Sequence, residues 1–198
     1  YCTEPAVRHP TTNSTLIASA LSVAISSDGG SSWTKPTLGQ VTFRGNNQNN
    51  LVLLDQWHNG SKASLPRRCG VEFGYGCELE GGSVWVDKHA PPDQRYKNVA
   101  KSHWPSGQGG IKAWVSSDGY EWKFHAAWDN LGAVDTQEIS FFDDDIGEYV
   151  LYTRDKGGCT EPCRQVLYVR RLSQTSFPSS AKDSWSKDVN GSRGLPST

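Results

Sequence analysis

The chain carries one short turn twice, and that repetition limits what it can fold into more than any other feature. Ser26-Ser27-Asp28-Gly29-Gly30-Ser31-Ser32-Trp33 returns as Ser116-Ser117-Asp118-Gly119-Tyr120-Glu121-Trp122. In Ser-x-Asp-Gly the Asp carboxylate accepts hydrogen bonds from backbone N–H groups just after it, and Gly supplies a positive φ that other residues resist. Each copy follows a strand-like run, Ile17 to Ile25 and Ile111 to Val115, and ends on a Trp able to pack back over the hairpin. A recurring hairpin with a recurring Trp implies a repeated β unit. Asp28 and Asp118 are expected to be structural.

Composition agrees with an all-β chain of short strands. The 198 residues are rich in Trp, and Gly, Ser, Asn and Pro are spread along the whole length. The formal net charge is -1 and no basic stripe stands out, so neither nucleic acid nor an anionic membrane is expected as a partner. The longest apolar run, Leu16 to Ile25, is broken by Ser19 and Ser22 and is too short to span a bilayer. Met is absent and residue 1 is Tyr, which leads to the expectation of a processed chain or an interior fragment. Cys2, Cys69, Cys77, Cys159 and Cys163 favour an oxidising compartment and hence a secreted or extracellular protein. Cys69 with Cys77 and Cys159 with Cys163 are the simplest of several possible pairings. Sequons at Asn13, Asn59 and Asn190 fit secretion.

In chain order, residues 1–55 read as a partial blade and its connection, with a strand at Leu16 to Ile25 and shorter ones at Val41 to Phe43 and Leu51 to Leu54. Residues 56–79 read as a loop or insertion. Residues 80–128 read as a blade, with strands at Ser83 to Asp87 and Arg95 to Ala100 and a third that ends in the second turn. Residues 129–190 repeat it, with strands at Ile139 to Phe142, Glu148 to Arg154 and Gln165 to Leu172, and with Ser173 to Trp185 in the position of the turn. Laying one unit over the other pairs Val84 with Ile139, Asp87 with Asp143 and Tyr96 with Tyr149.

The first turn matches the Asp-box pattern S-x-D-x-G-x-x-W in full, and the second is one residue shorter. Asp boxes close outer hairpins of β-propeller blades in sialidases and other carbohydrate-active proteins, so the resemblance implies a propeller. Further pieces extend it: Trp33-Thr34-Lys35-Pro36, Asn49-Asn50-Leu51-Val52, Asp87 to Lys97, Ser116 to Trp122 and Asp135 to Arg154. Their succession is similar to secreted glycosyl hydrolases of the family 32, 43 and 68 type five-bladed β-propeller superfamily. The resemblance implies an all-β propeller of which this chain covers about two to three blades. Since roughly 4 to 8 blades close a ring, the chain alone is not expected to close one. Family 32 enzymes carry a nucleophilic Asp on the first blade, an Arg-Asp-Pro on the second and a Glu-Cys acid later. None of these signatures occurs here.

In a propeller the innermost strand of each blade starts near the axis, so carboxylates at those starts are the candidates for chemistry. They are Asp135 as nucleophile or stabiliser, and Glu80 or Glu138 as acid. Glycoside hydrolysis uses two carboxyl groups ~5 to 5.5 Å apart for retention and ~6.5 to 9.5 Å apart for inversion. Arg95 and Arg154 could clamp substrate hydroxyls, and His103 beside Trp104 suits sugar stacking. Asp87, Asp143, Asp144 and Asp145 read as turn residues. No cofactor or metal is implied; an axial Ca²⁺ would have carboxylates near it but no supporting ligand spacing. The expected partner is a carbohydrate and the expected reaction is glycosidic-bond hydrolysis. Two rivals are a sialidase-like enzyme, which needs an Arg triad and a Tyr–Glu pair, and a propeller that binds carbohydrate or serves a structural role without catalysis.

Overall fold

The computed structural model describes residues 2–3, 7–8, 15–16, 19–41, 46–54, 79–102, 110–128, 138–155, 165–171, 176–179 and 185–187. Among these the regular structure is β, with one 3-10 turn at Pro92–Gln94, and the paired strands are antiparallel. A three-stranded sheet joins β1 (Cys2–Thr3), β4 (Ser19–Ser22) and β5 (Leu51–Leu54) in the order β1-β4-β5, and β2 (Val7–Arg8) pairs with β3 (Thr15–Leu16). Two four-stranded meanders follow. The first is β6 (Glu80–Val86), β7 (Tyr96–Ser102), β8 (Gly110–Ser116) and β9 (Trp122–Trp128); the second is β10 (Ile139–Asp143), β11 (Glu148–Asp155), β12 (Gln165–Arg171) and β13 (Trp185–Lys187).

The single strand expected from Leu16 to Ile25 is instead divided. Leu16 belongs to β3, paired with Val7, whereas β4 lies between β1 and β5, and Ile25 makes a separate bridge to Thr34. Apolar continuity does not reveal which neighbour each residue will pair with. Val41 is buried but lies outside any ladder, and residues 42–43 of that expected strand lie outside the described residues. The Asn49-Asn50 pair has a structural task. The Asn49 amide donates to the Val41 carbonyl at 2.8 Å, and the Asn50 amide donates to the Val23 carbonyl at 2.6 Å, fastening the loop to the start of β5.

The two Ser-x-Asp-Gly turns build the same network. In the first, the Asp28 carboxylate accepts the Ser32 N–H at 2.9 Å and the Ser32 hydroxyl at 2.6 Å, and the Trp33 indole donates to the Gly30 carbonyl at 3.0 Å. In the second, Asp118 accepts the Tyr120 and Glu121 N–H groups at 2.8 and 2.9 Å, and the Trp122 indole donates to the Gly119 carbonyl at 3.0 Å. These bonds hold the Asp28 carboxyl far below the usual carboxylate range. The last turn is longer, yet Trp185 pairs with Arg171 just as Trp122 pairs with Ser116, so both tryptophans open the fourth strand of their meander.

The meanders superpose as a repeat with one correction. Val86 pairs with Tyr96 and Phe142 with Tyr149, which makes Asp87 and Asp143 equivalent, each accepting the N–H two residues on at 3.0 Å. Counting from those pairs, Val84 opposite Asn98 corresponds to Ser140 opposite Leu151, one residue beyond the expected Ile139. The β6 ladder shifts register between Glu80 and Ser83. Gly82 sits there at φ 104, where a Cβ would lie 2.5 Å from the Val99 carbonyl oxygen, so only glycine fits this bulge.

Sheet β6–β9 has a core on each face. Ala100, Trp114 and Trp122 cluster with Ala20, Leu51 and Leu53 of the first sheet, while Val99, Ile111, Ala113 and Trp128 cluster with Tyr149 and Leu151 of the second meander. The alternation of β7 and β8 explains this two-sidedness: successive residues face opposite sides, and both sides are apolar. The first strands of the two meanders lie beside each other, where the Ser140 N–H donates to the Ser83 hydroxyl at 2.9 Å. Their turns also meet, so β6 and β10 run in the same direction.

Candidate functional site

The starts of β6 and β10 define one end of the paired meanders, called here the leading end; the turns after Asp87 and Asp143 define the other. Glu80 opens β6 opposite Lys101, and the bulge at Gly81 and Gly82 re-aims the strand just there. Glu138 directly precedes β10 and is fully buried. Lys101 and Thr153 are buried near the same end, and Lys112, opposite Ala100, is buried on the other face of the first meander. Ionised groups are costly to remove from water unless paired. Glu138 and Lys101 thus place a buried carboxyl and a buried ammonium side chain at the leading end.

Of the residues singled out in the sequence, Glu80, Glu138 and Arg154 fall at this end. Arg154 lies two positions beyond Tyr152, the partner of Ile139, and pairs with Val166. Arg95 falls at the opposite end. It follows the 3-10 turn, is exposed, places its guanidinium 5.9 Å from the Tyr96 ring centre, and accepts the Asp87 N–H on its carbonyl at 2.8 Å. Asp135, His103 and Trp104 lie outside the described residues, as do Cys69, Cys77, Cys159, Cys163 and the sequon asparagines Asn13, Asn59 and Asn190.

The turn end carries a constellation that sequence reasoning missed. Asp87 is 2% exposed and joins the two meanders: it accepts the Tyr149 hydroxyl of β11 at 2.7 Å and pairs with the Lys97 ammonium of β7 at 3.2 Å. Lys97 also donates to the Gln94 carbonyl at 2.6 Å and lies 5.0 Å from the Phe177 ring centre. Burial pulls its pKa down, opposed by the Asp87 charge. At the surface, Lys88 and His89 both reach Asp144, at 2.7 and 2.6 Å. Asp at a turn is ordinary, and nothing local distinguishes Asp87 from Asp143 to Asp145. The available signal was the repeated Asp with its repeated Tyr, since Tyr149 is the copy that reaches across.

His125 reports on the same seam. Its ring stacks on Phe177 at 5.1 Å, and burial first of all pulls its pKa below the ordinary 6.5, with the Phe177 carbonyl opposing. The folded chain thus takes up this proton later than the unfolded chain as pH falls. Stability from His125 is complete above about 6.5 and is lost as pH drops from there through the folded pKa. His125→Phe, which keeps the stacked ring, is expected to flatten that part of the decline. Urea midpoints of both proteins at pH 7.5 and 5.5 test it; equal decline in both would show that His125 contributes nothing.

Among the described residues no group of three or more His, Cys, Asp or Glu side chains is arranged to hold a metal ion, and no helix is long and apolar enough to cross a membrane. No family model matches the chain, and no curated protein or solved structure is significantly similar to it.

Proposed function

We propose that this chain is a segment of a five-bladed-type β-propeller related to glycoside hydrolases, acting on a glycosidic bond at the leading end of its inner strands. The observation that carries this reading is the pair of four-stranded meanders with their first strands side by side and parallel, and with Glu80 and the buried Glu138 at the same end. Blades stacked about an axis bring such strand starts together, and glycosidic cleavage draws on carboxyl groups held there. In this reading Glu138 or Glu80 gives the proton to the leaving oxygen and Asp135 supports the developing positive charge. The Ser-x-Asp-Gly turns act as Asp boxes that close outer hairpins. The oxidising compartment read from the cysteines makes the protein secreted.

A second reading rests on a specific observation. Glu138 is 0% exposed, so in this conformation it is shielded from any substrate. That favours a propeller that binds carbohydrate without cleaving it.

Hydrolysis of a panel of chromogenic glycosides separates the two. Catalysis predicts that Glu138→Gln and Asp135→Asn each lower kcat by roughly 10²–10⁴-fold with unchanged unfolding midpoints. Retention of a glycan by the unaltered chain with no turnover on any substrate would replace the enzyme by the binder. Turnover that survives both substitutions would remove these carboxylates from the mechanism.

A further inference from the structure

Phe177 and Pro178 are buried between the exposed Ser176 and Ser179, in the connection that joins β12 to β13. The side chains that meet Phe177 come from both meanders. Its ring stands edge to face with Trp85 of β6, Trp128 of β9 and Tyr149 of β11. His125 of β9 holds it in two ways: the imidazole lies 5.1 Å from the Phe177 ring at 29°, and its Nε2 donates to the Phe177 carbonyl at 3.4 Å. Among the described residues, the charged groups around this stack are Lys97 of β7, 5.0 Å from the Phe177 ring centre, and Asp87 after β6, which pairs with Lys97 and accepts the Tyr149 hydroxyl of β11. Asp93 of the 3-10 turn acts on Lys97 from the surface, and Lys123, two residues before His125, is exposed.

A proton on His125 sets a second cation near the Lys97 ammonium, in a site where burial already disfavours charge. Moving Phe177 and Pro178 away gives the imidazole to water and breaks no pair of the β8–β9 or β12–β13 ladders. We propose that His125 and Phe177 form a pH-sensitive latch, in which protonation of His125 releases Phe177 and Pro178 from the seam while both meanders stay folded. Such an opening is local, confined to a stretch outside the strands. The released form binds the proton more tightly than the docked form. Opening is therefore constant above about pH 6.5 and rises by up to about tenfold per pH unit below it, until the docked form titrates as well. This inference goes beyond the proposed function and holds whether or not the leading end cleaves a sugar.

Thiol labelling of the full chain tests it. Pro178→Cys places a thiol on the docked stretch and Ala113→Cys places one in the core on β8, both at buried positions. Each is labelled with a pyridyl disulfide at pH 7.5, 6.5 and 5.5, read by peptide mass and scaled to the same protein unfolded in urea. The Pro178→Cys thiol is expected to label up to about tenfold faster at pH 5.5 than at 6.5, the Ala113→Cys thiol to stay protected, and the added substitution His125→Phe to abolish the pH dependence. Linkage supplies a second readout: Phe177→Ala is expected to move the His125 titration, followed by NMR, up toward 6.5. A Pro178→Cys thiol that labels as if unfolded at every pH, or shows no rise on acidification, would overturn the latch. So would equal acceleration at both thiols, a rise that survives His125→Phe, or a His125 titration that Phe177→Ala leaves unchanged.

Discussion

Lys97→Ala is expected to lower the unfolding free energy by about 3–5 kcal/mol, the scale seen when one member of a buried ion pair is removed. Among the described residues, the substitution leaves Asp87, at 2% exposure, with only the Tyr149 hydroxyl at 2.7 Å and the His89 N–H at 3.0 Å. It also orphans the Gln94 carbonyl, which the ammonium reaches at 2.6 Å, and empties space against Phe177. The dominant effect is electrostatic: an uncompensated carboxylate in a dry seam is worse than no charge at all. The double variant Lys97→Met with Asp87→Leu is therefore expected to recover most of the loss, because both desolvated charges vanish together. Urea unfolding of Lys97→Met, Asp87→Leu and the double variant, beside Lys97→Ala, checks this. Additive losses would mean that the pair is not coupled and that the contacts across the seam are maintained by packing alone.

Phe177→Ala is expected to lower the unfolding free energy by about 3–5 kcal/mol. Phe177 is 5% exposed, and its ring lies 5.8 Å from Trp85, 5.5 Å from Trp128, 5.2 Å from Tyr149 and 5.1 Å from His125. It comes from the connection between β12 and β13, which is longer than the corresponding turn between β8 and β9. The extra length brings one aromatic residue back into the seam between the meanders. Truncating it leaves a cavity walled by large rings that have few ways to collapse. Phe177→Leu is expected to lose less than the alanine variant, because it keeps most of the volume and forfeits mainly the edge-to-face contacts. Thermal unfolding of the series ranks them. An alanine variant within about 1 kcal/mol of the parent would show that the connection is not part of the cooperative unit.

How much could be read beforehand depends on how far each interaction reaches along the chain. Strands β5 to β8 and β10 to β12 were legible because their apolar alternation lies between strong turn signals, such as Asp143 to Gly147, where the Asp145 N–H returns to Asp143 two residues away. The strand at Leu16 to Ile25 was misread because an apolar run records burial, not partner. The start of β6 shows the same limit on a smaller scale: two glycines shift the register, and the repeat slides by one residue between Val84 and Ser140. For the candidate site, strand order alone brought Glu80 and Glu138 to one end. It equally sent Arg95 to the other, a consequence of antiparallel geometry hidden while Arg95 was read only as the start of a strand.

The sequence by itself determined the all-β character, the two equivalent turns and the repeat of Asp87 with Asp143 and of Tyr96 with Tyr149. These depend on hydrogen bonds that span a few residues and on side-chain alternation with period two, both encoded locally. Only the tertiary structure decided that Trp122 is core and Trp33 surface, that Asp87 is a buried clasp while Asp144 is a surface partner, and that Phe177 belongs to the seam. The Asp87 to Tyr149 bond spans 62 residues. Burial is set by what stacks against a face, and residues with the same local pattern acquire different surroundings once the sheets come together.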